Sequence, residues 1–201
     1  MIASLRAAHA LLGRINEVVL ALGRNIAWVL MALMVFIILL QVFYRYVLNS
    51  ALPWPEEAAL ALMIWMMGLI APSAYRWGGF VSIDMLSEQL PKWPRFVLTL
   101  FLVITATVVI VFLLQQAWIH FSSPILFNSS GLNRMLQDSG INALLGTRLE
   151  FRAAYIYFGM VTCFAMMLSV NIEVLLRNLG QTLGSPDDFP APQIPEFFGA
   201  E

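Results

Sequence analysis

Four stretches of this chain carry no Asp, Glu, Lys or Arg, around 26–44, 58–75, 96–119 and 153–172. A helix needs about 20 apolar residues to cross roughly 30 Å of hydrocarbon, so each block has the length of a membrane span. Only 11% of residues are charged and 60% are hydrophobic, against roughly 25% charged in a soluble domain. The blocks are too long for barrel strands and lack period-two alternation, which excludes a transmembrane β-barrel. The chain therefore reads as an all-α membrane protein of four transmembrane helices, preceded by an N-terminal amphipathic helix.

The expected organisation has three parts: an amphipathic helix over 1–24, a transmembrane domain over 25–177, and a tail over 178–201. The spans fall at about 26–48, 56–76, 94–119 and 152–176. In the first part Leu5, Ala8, Leu11, Leu12, Ile15, Val18, Val19 and Leu22 recur at helical spacing, while Arg6, His9, Asn16 and Glu17 tend to the other side. Such a pattern suits a helix lying among lipid headgroups, or a plain cytoplasmic extension of the first span. The charges at Arg6, Arg14, Glu17 and Arg24 exclude a cleavable signal peptide. In the tail, Pro186, Pro190, Pro192 and Pro195 alternate with acidic residues, which predicts disorder. The link over about 120–151 is the one long connection, and loops of that length are commonly functional.

Lys and Arg in the flanks set the orientation. Arg6, Arg14, Arg24, Arg76, Lys92, Arg95 and Arg177 fall on the side of the termini, and Arg45, Arg134, Arg148 and Arg152 on the other. The bias puts both termini in the cytoplasm.

No catalytic constellation is recognisable. His9 and His120 stand at opposite ends of the predicted spans, which disfavours a haem held by paired axial histidines. There is no ligand cluster for zinc and no nucleotide fingerprint, so no cofactor is expected. Cys163, the single cysteine, sits in an apolar block and reads as packing. A net charge of −1 gives no reason to expect nucleic acid as a partner.

The most specified region is the corner between the first two spans. Arg45 ends the first uncharged block, and Pro53-Trp54-Pro55-Glu56-Glu57 opens the second. Pro55 suits the first turn of a helix, and Glu56 and Glu57 then lie at the positive end of its dipole. They either cap and solvate that helix or pair with Arg45 or a partner subunit, since charge beside hydrocarbon needs water or a counter-charge. Along the second span Ala61, Trp65, Gly68 and Pro72 share one face, expected to pack against protein. Pro72 removes the donor for the Gly68 carbonyl, so a kink there either lines a site or lets a neighbouring helix approach. Glu173 and Arg177, four apart, are placed to pair along the fourth helix.

These residues resemble the small membrane subunit of tripartite ATP-independent periplasmic (TRAP) transporters, the DctQ-like family. The likeness runs through Gln41-Val42-Phe43-Tyr44-Arg45-Tyr46-Val47-Leu48-Asn49, Leu52-Pro53-Trp54 and Glu56-Glu57. It continues with Trp65, Gly68, Ala74, Arg76-Trp77-Gly78-Gly79 and Ile83-Asp84. Phe80 stands where many members carry a histidine. The resemblance implies a non-catalytic subunit of a bacterial inner-membrane secondary transporter. A large membrane subunit would hold the substrate and sodium sites, and a periplasmic binding protein would deliver a small organic acid. Arg45, Trp54, Glu56, Glu57, Trp65, Gly68, Arg76 and Asp84 are the candidate subunit-interface or structural residues, with membrane lipids the remaining partner. The competing reading is a stand-alone four-span scaffold or assembly protein.

Overall fold

A computed structural model describes residues 2–78, 92–123, 131–134, 152, 154–183 and 189. It contains four long helices: α1 (Ile2–Tyr46), α2 (Pro55–Gly78), α3 (Lys92–Ser122) and α4 (Ala154–Leu183). Each is long and apolar enough to cross a membrane, so the chain is an all-α membrane protein with four spanning helices. Helix α4 is the hub, packing against α1, α2 and α3, and α1 also packs along α2. The core is accordingly thin and concentrated on α4, with Leu20, Val103, Val170 and Val174 at its centre and Tyr75, Met166 and Leu175 around it.

Helix α1 is 45 residues long, about 65–70 Å at 1.5 Å per residue, and overhangs the hydrocarbon layer by more than half its length. The amphipathic segment and the first span are one helix, with no break near Arg24. The reason lies in its inner face. Asn16, Leu20, Gly23, Ala27 and Ile37 are buried, with Leu30, Met34, Gln41 and Tyr44 half-buried between and beyond them. That alternation of three and four is the seam of left-handed helix packing, and it passes through residue 24 without changing phase. The apolar stripe read from the sequence faces the opposite way: Leu11, Ile15, Val18 and Leu22 are exposed. Asn16, placed with the polar face in the sequence, is one of the most buried residues of α1.

Helix α2 begins at Pro55, and the Trp54 carbonyl accepts the first turn's Ala58 N–H at 3.0 Å. Gly68 allows a close approach of α2 to α4. A Cβ there would lie 2.7 Å from the Gly159 carbonyl oxygen of α4. On the other side of that contact Gly159 leaves room for the Trp65 ring, whose Nε1–H donates to the Tyr155 carbonyl at 3.2 Å. The face carrying Ala61, Trp65, Gly68 and Pro72 thus packs within the chain, and of the two roles considered for Gly68 it serves helix approach. Helix α4 continues past Arg177 to Leu183, six residues into the expected tail.

Candidate functional site

The chemistry of the bundle is gathered where the C-terminal half of α4 meets α1 and the end of α2. Glu173 of α4 receives Arg76 of α2: Nη2–H donates to Oε1 at 2.7 Å and Nε–H to the same oxygen at 3.2 Å. The second carboxylate oxygen accepts Asn16 Nδ2–H of α1 at 2.7 Å. Asn16 Oδ1 in turn accepts the Ser169 hydroxyl at 2.7 Å, and Arg76 Nη2–H also reaches the Gly13 carbonyl at 3.2 Å. The ion pair is withdrawn from solvent, its side chains 10% and 7% exposed. A pair so buried is tolerable only when its remaining donors and acceptors are satisfied, and here α1 supplies both Gly13 and Asn16 for that purpose.

A second polar layer joins the remaining helix. The Tyr75 hydroxyl of α2 donates to Asn171 Oδ1 of α4 at 2.7 Å, and Asn171 Nδ2–H donates to Thr107 Oγ1 of α3 at 2.6 Å. Thr107 passes its own proton to the Val103 carbonyl at 2.8 Å. Beside these layers the Arg24 guanidinium lies 4.3 Å from the Trp77 ring centroid, a cation–π contact that keeps a cationic head supported near the membrane boundary. Among the described residues, no buried side-chain nitrogen or oxygen lacks a hydrogen-bond partner, and no group of three potential metal ligands occurs. Chemically the arrangement neutralises and clamps.

At the corner between α1 and α2 the two glutamates have different surroundings, and neither is met by Arg45 within the chain. Asn49 adopts a left-handed conformation (φ 48°) where α1 ends, and the Ser50 N–H reaches back to the Tyr44 carbonyl at 3.1 Å; asparagine is among the few residues that tolerate this region. Arg45 lies toward the ring of its neighbour Tyr46, 6.0 Å from the centroid, and pairs with neither glutamate. Glu56 is exposed. Glu57 Oε2 accepts the N–H groups of Gly131 and Leu132 at 3.0 and 3.3 Å, at the first of the described helical residues 131–134. Gly131 is required there, because a Cβ would sit 2.7 Å from the Pro53 carbonyl oxygen. Residues 131 and 132 are thereby fastened to the corner.

Of the eight residues singled out from the sequence, Trp65, Gly68 and Arg76 meet α4, and Glu57 meets the α3–α4 connection. Trp54 serves through its carbonyl, Arg45 and Glu56 stand outside these clusters, and Asp84 lies outside the described residues. Glu173, placed by spacing beside Arg177, is met by Arg76 across 97 positions of sequence. Asn16, Ser169 and Asn171 were missed. Their signal was polarity inside otherwise apolar helical faces.

Residues 34–181 match the family model described as the DctQ component of tripartite ATP-independent periplasmic transporters. A protein of Haemophilus influenzae provisionally named as a TRAP transporter small permease protein is 27% identical over 141 residues, covering 66% of this chain and 88% of that relative.

Proposed function

Because the chain belongs to the DctQ component family of TRAP transporters, we propose that it is the small permease subunit, a non-catalytic part that packs against the scaffold of a large membrane subunit and anchors it. The large subunit carries the solute and sodium sites, a periplasmic binding protein supplies a small organic acid, and this chain sits in the bacterial inner membrane with both termini in the cytoplasm. The observation that carries this reading is how the buried polar groups are used. Arg76, Glu173, Asn16, Asn171, Tyr75 and Thr107 are committed to one another across four helices. A transporter working alone needs a polar site near the midplane with groups left for the solute. The flanks of α1 and α3 instead offer apolar side chains such as Trp28, Phe36, Phe101 and Phe112 to the surroundings.

The test is co-expression with a tagged large membrane subunit and purification in mild detergent. A stoichiometric complex, together with sodium-driven uptake that requires both chains and a binding protein, is the expected result. A chain that is well expressed, stable and unassociated beside an equally well expressed partner would overturn the reading in favour of a stand-alone scaffold.

A further inference from the structure

Beyond its helices the structure describes one residue of the tail, Phe189, and that residue is 1% exposed. An isolated aromatic in a Pro-rich acidic segment is normally solvated. This one is held by three contacts from two helices. Its ring meets His9 of α1 edge to face, with centroids 5.5 Å apart and planes at 70°, an arrangement aromatic pairs favour. It rests on the backbone of Gly180 in α4, where an added Cβ would lie 2.5 Å from two ring carbons. Its carbonyl accepts Gln181 Nε2–H at 3.1 Å. Gly180 is thus a socket floor: any side chain there occupies the volume of the ring.

We propose that Phe189 is an aromatic latch, a point contact by which this residue joins α1 to α4. Its socket is made by His9, Gly180 and Gln181. The latch ties the N-terminal part of α1, through His9, to the last turns of α4, through Gly180 and Gln181. Its occupant is a segment of this same chain, eight residues beyond its own hydrogen-bond donor. The inference does not depend on the transport reading, since it concerns contacts within the chain.

Cys163 is the single cysteine, so Cys163→Ser gives a thiol-free background for the test. His9→Cys is added to the full chain in opened membranes, with Phe189 kept, and the rate of its alkylation by a maleimide is measured. Arg14→Cys, at an exposed position of α1, serves as the control. The expected result is that position 9 is alkylated severalfold faster when Phe189→Ala is added, and again when Gly180→Val is added, while the rate at position 14 is unchanged. A rate at position 9 indifferent to Phe189→Ala would overturn the latch. So would a rate that rises with Phe189→Ala but is indifferent to Gly180→Val, because the socket would then not be what holds the ring.

Discussion

Individual charges in this protein are worth what their burial makes them worth. Glu173 is enclosed with Arg76 and Asn16, and removing one member of a buried pair costs about 3–5 kcal/mol because the other charge is stranded. Glu173→Leu is therefore expected to lower the unfolding midpoint in detergent sharply. Combining it with Arg76→Met should restore much of the loss, since an apolar replacement of both partners leaves no orphan. Asn171→Leu breaks only neutral interhelical bonds, which in membranes average about 0.6 kcal/mol each, so its effect should be clearly smaller. Equal effects from Glu173→Leu and Asn171→Leu would contradict the ranking. Glu57 makes a different prediction. Charge-assisted bonds are worth about 1.5–3 kcal/mol, so Glu57→Gln should speed amide hydrogen exchange at Gly131 and Leu132 about ten- to hundredfold. Exchange in the middle of α2 should stay as it was.

At the scale of elements, glycine placement governs how α2 meets α4. A methyl at Gly68 would press on the Gly159 carbonyl, a backbone atom, whereas a methyl at Gly159 meets the Trp65 ring at 3.2 Å, and a side chain can give. Overpacking of this kind costs about 1–3 kcal/mol. Gly68→Ala is expected at the upper part of that range and Gly159→Ala at the lower, read as the order of their thermal midpoints. The helices themselves were legible in the sequence because uncharged length is a local property, and so was the face through Ala61, Trp65, Gly68 and Pro72. The partners of Arg45, Glu57 and Glu173 were not. Spacing along the chain suggested the neighbour four residues away or across a short turn, but burial selected Arg76 for Glu173 and the amides of a distant loop for Glu57. Asn16 misled for a related reason. Solvent, the seam and the lipid surface all compete for an amphipathic helix, and hydropathy alone does not say which side of it faces protein. On α1 the buried seam mixes Asn16, Gly23 and Ala27 with Leu20 and Ile37, while large apolar residues such as Leu11, Val18 and Trp28 are exposed.

Across the whole molecule, the bundle is longer at one end than a membrane requires, and the excess is where α1 and α4 run together. That end holds Gly13 and Asn16 against the Arg76–Glu173 pair, so the N-terminal segment of α1 completes the fold and does more than lead into a span. Its contribution can be divided. Residues 2–5 lie before every α1 position described in contact with that cluster, and their removal is expected to leave the unfolding midpoint in detergent nearly unchanged. Removing 2–17 withdraws Asn16 from Glu173 and the Gly13 carbonyl from Arg76. Losing hydrogen bonds to charged groups at about 1.5–3 kcal/mol each should then lower the midpoint by an amount approaching that of Glu173→Leu. If the two deletions behave alike, the polar cluster is held by α2 and α4 without help, and α1 is a span with a dispensable leader. If only the longer one destabilises, three helices are keyed by a single buried carboxylate.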